Sequence, residues 1–304
     1  MDLRQLETFM RVAELGSFTQ ASHVMGIAQP ALSRQVRLLE VELRQTLLDR
    51  NGRGVTTTPA GKLLLEHCRG ILHQVARARE DLDRVQGAVA GRIALGMPPS
   101  ASRMLAVHLT RQFREQLPKA SLSIVEGLSL LMQEWLLTGR LDVALLYNPS
   151  PSDELALCRL TSERLYLVGR RGGEASAAPI PLRMLADTPL VIPNRPHTVR
   201  MLLETAMAMI GQRPQIQMEI DSVAAILDLV AHGVGHAVLT EHAMLTATLP
   251  ERYQLRQIVE PEVHSRLFLA TAATRTTTRT QQAVQELVRA AVRQAYPPAL
   301  VEMD

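Results

Sequence analysis

Cysteine is nearly absent from this chain of 304 residues: Cys68 and Cys158 stand ninety positions apart, with no CxxC and no Cys/His cluster around either. A disulfide framework and a structural zinc site are excluded as organising principles, and a reducing compartment fits. Long apolar runs are missing as well. Nothing approaches the ~18 consecutive apolar residues of a membrane span. The opening MDLRQLETFM puts charge where a signal peptide needs an apolar core, so a cytoplasmic protein without a membrane partner is expected. Lysine occurs only at Lys62 and Lys119, which leaves arginine to supply 31 of the 33 basic side chains. Its planar fork suits bidentate contact with phosphate or guanine. Common catalytic signatures are missing too: there is no GxSxG, GxGxxG, P-loop or HExxH, and Gly233 and Gly235 break any i, i+4 metal-binding face between His232 and His236. No catalytic residue, metal site or cofactor is expected.

What is present is an apolar fraction of 46% on a chain too long for one ordinary core, so two or three domains are expected. The net charge of +3 is unevenly placed. Residues 1–92 hold 13 Arg and Lys against 10 Asp and Glu, and the remaining residues hold 20 of each. The basic excess belongs to the first third, where nucleic-acid contact becomes the question.

Leu3, Leu6, Phe9, Met10 and Ala13 recur at helical spacing and stop at Gly16, which predicts an amphipathic helix over 2–14. Ser17, three before Gln20, opens a short second helix through Val24 to Gly26, with Phe18, Ala21 and Val24 inward. After the Gly26-Ile27 turn, Pro30 falls in the first turn of a third helix that reaches Leu43. Two short helices joined by a tight glycine turn make a helix-turn-helix. On the third helix Leu32, Val36, Leu39 and Leu43 form one face. Pro30, Ser33, Arg34 and Arg37 form another, where a hydroxyl and two guanidiniums have no core to satisfy, and that face suits the major groove of a double-stranded DNA operator. In LLDRNGRGVTT, residues 47–57, two β-prone runs flank Asn51-Gly52 and Gly54. This predicts a hairpin wing with Arg50 and Arg53 at its tip, reaching phosphate or the minor groove.

The string GSFTQASHVMGIAQPALSRQVRLLEVEL followed by LLDRNGRGVTTTPAG resembles the LysR-type transcriptional regulators. Ser17, Thr19, Ala21, Gln29, Pro30, Ala31, Leu32, Ser33, Leu39, Glu40, Leu43, Arg50, Thr58 and Gly61 all fall at that family's spacing. Three positions depart from it: Arg44 replaces a usual glycine, Leu48 a usual phenylalanine, and Ala28 a usual Ser or Thr cap, the last costing about 1 kcal/mol. Ala28, Leu48 and the wing from Arg50 to Thr56 resemble the nitrogen-assimilation-control branch. The likeness covers about the first sixty-five residues. It implies an operator-binding regulator in which Gln29 joins Pro30, Ser33, Arg34, Arg37, Arg50 and Arg53 as DNA contacts.

Thr58 and Pro59 cap and open a further helix. Within it Leu64, Cys68, Ile71, Val75, Ala78, Leu82, Val85 and Val89 are separated by 4, 3, 4, 3, 4, 3 and 4 positions. Such a seam pairs with a second copy or packs on a domain. Its place between a head at 1–58 and a larger domain favours a dimerising linker over 59–91, as the resemblance also implies. The resemblance further implies a homotetramer, and RNA polymerase as a partner if the protein activates.

From Arg92 onward strand-like and helix-like runs alternate. RIALGM, SLSIVE, LDVALLY, RLYLVG, PLVIP, IQMEI, HAVL and RLFLAT read as strands, with helices at about 101–116, 130–138, 198–210, 223–231 and 280–295. Two such series predict parallel, doubly wound sheets in two lobes. The expected fold is therefore an α+β multidomain protein: a winged helix-turn-helix, a long linker helix, and a two-lobe α/β sensor like periplasmic binding proteins over 92–304. Lobe I takes about 92–162 and 266–304, and lobe II about 163–265; the return to the first lobe is what the resemblance implies. Ligands of open α/β sheets bind where strand ends meet helix N-termini. Ser100, Ser102, Ser129, Arg195, His197 and Thr198 fall at such places and suit a small anionic effector, while Ser100, Ser129 and Thr198 also read as plain N-caps. The resemblance puts the inducer cleft there as well. A DNA-binding regulator that senses a small metabolite and alters its oligomer and DNA geometry is expected. The branch resemblance raises an effector-independent regulator of nitrogen-related genes, set by its own abundance. A solute binder or an α/β enzyme without recognisable motif is the alternative from another class.

Overall fold

The computed structural model describes residues 1–51, 54–83, 91–172, 178–247 and 249–296. The chain forms two compact units, Met1–Ala88 with Thr138–Arg140, and Val89–Leu137 with Leu141–Asp304.

In the head, α1 (Leu3–Leu15) starts in a capping box between Asp2 and Gln5, and α2 (Phe18–Met25) is capped by Ser17 and closed by Gly26. In α3 (Gln29–Leu43) Ala28 supplies no side-chain cap. Leu6, Phe9, Val12, Phe18, Ala21, Leu32, Val36 and Leu39 fill the core. Val24, expected inward on α2, is 65% exposed. The reason is periodicity: Met25 lies seven residues, two full turns, from Phe18 and takes the inward stripe, leaving Val24 about 100° off it. Buried Thr8 donates to Gln35 Oε1 at 2.7 Å and ties α1 to α3.

The wing pairs β1 (Leu48–Asn51) with β2 (Gly54–Thr57), Arg50 opposite Val55. Its root is fixed from two sides. The Val55 amide donates to the Gly16 carbonyl at 2.9 Å, and Glu40 Oε1 accepts from the amides of Leu47 and Leu48 at 2.9 and 3.2 Å. The helix α4 (Pro59–Asp83) follows, capped by Thr58, whose hydroxyl accepts from the Gly61 amide at 3.0 Å. A Cβ on Gly61 would lie 2.0 Å from the Leu47 carbonyl oxygen, so only glycine lets this helix pass the wing root so closely.

Cys68 is fully buried and Leu64 half-buried, both within the head's own core, because α4 lies across α1 over its first turns. The first two positions of the expected dimer seam are therefore occupied inside one chain. Ile71 and Ala78 are exposed and Val75 half-buried. The side chain of Leu82, and Val85 and Arg53 altogether, lie outside the described residues. Burial pushes the Cys68 thiol up to about 11, so it behaves as a small apolar side chain.

The sensor unit begins with β3 (Gly91–Met97), α5 (Pro99–Gln116), β4 (Ala120–Glu126), α6 (Ser129–Leu137) and β5 (Val143–Tyr147), whose strands are parallel in the order β4-β3-β5. Then β6 (Leu155–Arg170) runs sixteen residues. After it come β7 (Ile180–Pro181), β8 (Leu190–Ile192), α7 (Thr198–Met209), β9 (Ile216–Glu219), α8 (Val223–Ala231), β10 (Ala237–Thr240), β11 (Tyr253–Val259), β12 (His264–Ala272) and α9 (Arg279–Ala295). The parallel sheets expected from sequence are found only in part: β3 pairs parallel with β4 and β5, and β8 with β9, but the remaining long strands do not follow. β12 pairs antiparallel with β5 and β6, and β10 and β11 pair antiparallel with β6, because β6 and β12 carry the chain back and forth between lobes. Each lobe is packed on both sheet faces. In the first, Leu95, Leu105 and Val288 lie on one face and Met132, Leu136 and Leu146 on the other; in the second, Leu203, Val238 and Ile258 oppose Ile226, Val230 and Leu239. Among the described residues no helix is long and apolar enough to cross a membrane.

Candidate functional site

On the head, Gln29, Pro30, Arg34 and Arg37 are exposed on α3, with half-buried Ser33 among them. Arg34 and Arg37 have no ion pair among the described residues, so both guanidiniums keep their donors for an outside anion. Arg50 behaves differently. It was expected at the wing tip, yet it leans back over the head, its guanidinium carbon 4.6 Å above the Phe18 ring and its Nη1 donating to Ser33 Oγ at 3.1 Å.

The sensor unit holds a cavity of about 570 Å³ between its lobes. Ser100, Ser129, His197 and Thr198 line it. Two other expected residues do not. Ser102 sits two positions, or about 200°, around α5 from Ser100 and is buried on another face of that helix. The Arg195 side chain is bound to Glu204 at 2.9 Å, the same carboxylate that holds buried Arg200, so its charge is satisfied away from the cavity.

None of the three hydroxyls serves as the helix cap that their positions suggest. α5 has no side-chain cap, and α7 is capped by His197, whose Nδ1 accepts from the Val199 amide at 3.3 Å. All three turn instead to Tyr147, at the end of β5. Ser129 Oγ accepts from the Tyr147 amide at 2.8 Å, Thr198 donates to its carbonyl at 3.5 Å, and Ser100 donates to its phenol oxygen at 3.5 Å. The Tyr147 hydroxyl in turn donates to Glu163 Oε1 at 3.0 Å. Tyr296, at the end of α9, donates to the same oxygen at 3.2 Å, and His242 Nδ1 faces Oε2 at 3.1 Å. Glu163 is thus a buried carboxylate in the strand that both lobes share.

Sequence reasoning missed the part played by Tyr147, and missed Glu163 together with Arg103, Glu126, Asp221, Ser222, Thr240 and Ser265 of the cavity wall. A signal for Glu163 was present: it alternates with inward Thr161, Leu165 and Leu167, and a carboxylate at an inward strand position needs partners.

Burial, reinforced by the Glu163 charge, pushes the Tyr147 phenol well above its ordinary range; burial, then Tyr147 and Glu163, does the same to Tyr296. Both remain proton donors to Glu163. Burial lowers His197 against the opposing pull of Asp221. Its ring stays neutral, and with Nδ1 accepting from Val199 the remaining proton is on Nε2. The charged groups of the wall are Arg103 against Glu126 and Asp221.

The family described as LysR substrate binding domain matches residues 86–293, and that described as bacterial regulatory helix-turn-helix protein, lysR family, matches residues 3–62. The chain belongs to the LysR family. It is accordingly a DNA-binding transcriptional regulator with a ligand-binding domain, in a family that is not one of enzymes. The LysR chain is 34% identical to the nitrogen assimilation regulatory protein nac of Klebsiella aerogenes over 95% of its own length and 94% of that protein. With the protein of the same name from Escherichia coli strain K12 it shares 32% over 96% and 95%. Among solved structures, CbnR, a LysR family transcriptional regulator, matches with a TM-score of 0.71 at 22% identity over 96% of this chain and 100% of that one. Full-length CbnR complexed with its target DNA matches with a TM-score of 0.70 at 22% identity, covering 97% and 100%. At such identity the likeness concerns the LysR fold alone.

Proposed function

We propose that this LysR regulator reads its operator through α3 and the wing as a homo-oligomer, and that a small molecule bearing an anionic group enters the cleft beside Tyr147 and alters the DNA geometry of the assembly. The observation that carries the reading is the convergence of Ser100, Ser129 and Thr198 on Tyr147, a wall residue whose hydroxyl continues to Glu163. A ligand that takes a hydroxyl away from Tyr147 changes the hydrogen bonding of the shared strand. It then shifts the balance of lobe arrangements by its differential affinity for them. The N-termini of α5, α7 and α8 favour the anionic group. Because Glu126 and Asp221 outnumber Arg103, a ligand that also carries donors, such as an amino acid, matches more of the wall than a simple anion does.

The test is thermal unfolding of the full-length protein against a panel of amino acids and small carboxylates. A ligand at a hundred times its Kd stabilises by about 2.7 kcal/mol. Thr198→Val is expected to shrink that shift while operator affinity without ligand stays unchanged. If no member of the panel shifts the transition and the protein regulates fully without one, the cleft reading fails. The effector-independent control of nitrogen-related genes, for which the identity with the two nac proteins speaks, takes its place.

A further inference from the structure

Arg50 lies on the wing but turns one of its donors, Nη1, to the recognition helix. Phe18, over which it stacks, is the first residue of α2 and is buried in the head's core, so the ring is a fixed platform. The strand carrying Arg50 is equally fixed, through Val55 opposite it and the Val55 amide held by Gly16. A guanidinium stacked on a rigid ring and rooted in a rigid strand has little freedom, and its Nη1 points at Ser33 Oγ, 3.1 Å away.

A serine hydroxyl has one proton and two acceptor sites. A charged donor on one acceptor site outcompetes neutral partners and leaves the Ser33 proton directed away from Arg50. We propose that Arg50 is a positioning residue for base reading: it holds Ser33 as an obligate hydrogen-bond donor, so that Ser33 selects an acceptor edge in the major groove, such as guanine O6 or N7 or thymine O4, over the amino groups of cytosine and adenine. This rests on the assignment of α3 as the reading helix. It changes the role of Arg50 from phosphate charge to specificity, a role that lysine cannot fill because it has neither the plane to stack nor the fork to aim.

The experiment selects duplexes from a randomised pool with the full-length protein, then titrates the selected duplex and its single-base variants at several salt concentrations. The variants are Ser33→Ala, Arg50→Lys, Arg50→Ala and the double variant of Ser33→Ala with Arg50→Lys. Expected is that Ser33→Ala and Arg50→Lys each lower discrimination at the same base pair by roughly tenfold. The double variant falls no further than either single one, and the salt slope of Arg50→Lys equals that of the wild type. A structural role alone would not confine the loss to one base pair. If Ser33→Ala relaxes a position that Arg50→Lys leaves intact, the positioning role is overturned and the reading helix stands. If Arg50→Ala weakens all sequences alike and flattens the salt slope by about one while Arg50→Lys restores both, Arg50 is a phosphate contact and the proposal falls. If Ser33→Ala leaves every preference unchanged, Ser33 does not read bases and the proposal falls with it.

Discussion

Arg44 holds a backbone conformation suited to glycine: its φ of 53° is left-handed, and from there its amide closes α3 onto the carbonyls of Glu40 and Val41. An L side chain costs about 1–2 kcal/mol in that region, while glycine costs about 0.5–1 kcal/mol more entropy on folding. Arg44→Gly is therefore expected to stabilise the head by about 0.5–1 kcal/mol, read as a higher urea midpoint with an unchanged slope. An equal or lower midpoint would contradict the strain. Single residues were legible in the sequence where spacing alone decides their place. Helical periodicity separates Ser33, Arg34 and Arg37 from Leu32 and Val36 without knowledge of anything else in the fold. Tyr147 was not legible as a hub, because its partners Ser100, Ser129, Thr198 and Glu163 arrive from four different elements. Arg195 was misplaced for a related reason, since spacing does not say which carboxylate a guanidinium will find.

Elements were legible in proportion to their punctuation. α1, α2 and α9 begin at Asp2, Ser17 and Thr278, each of which caps its helix, and their bounds fall within a residue or two of the sequence reading. The first half of β6 and all of β11 were not foreseen. Their segments LALCRL and YQLRQIV interleave apolar with polar side chains, and half-solvated antiparallel strands give a weaker signal than buried parallel ones. The linker helix was legible as a seam but not as a divided one. Since Leu64 and Cys68 belong to the head, a partner copy has Ile71, Val75 and Ala78 to meet among the positions with described side chains. A carboxylate at Ile71 must then lose its water or break the pair. Ile71→Glu is expected to move the sedimentation profile toward lighter species and to weaken operator binding together with it. An unchanged profile would place the partner face elsewhere on the chain.

At the scale of the whole molecule, two half-buried histidines make stability depend on pH. Burial holds His197 and His236 below their ordinary value. As pH falls, the unfolded chain takes up these protons first, near pH 6.5, while the folded sensor resists until lower pH. Their stabilising contribution is thus complete above that value and is lost progressively as pH drops through the window beneath it. Melting curves of the full-length protein from pH 7.5 to 5.5 are expected to fall accordingly. The fall should be shallower in His197→Gln, which keeps an acceptor for the Val199 amide, by at most one proton's worth, about 1.4 kcal/mol per pH unit. Equal slopes for the variant and the wild type would remove His197 from the account.

β6 has a mechanical consequence. From Leu155 to Arg164 it is laddered to β12 with a single bulge at Leu160, and from Leu165 onward it is laddered to β10 and β11, with no unpaired residue where the two halves meet. A loop between lobes acts as a door hinge and lets them swing apart. A strand clamped along both halves acts as a torsion bar: it resists sharp bending, which breaks ladder bonds, and yields to twist, the soft coordinate of any sheet. Motion of the lobes is therefore expected as rotation about the strand axis, with Glu163 near the point of greatest shear, so that what leaves the sensor is a torque.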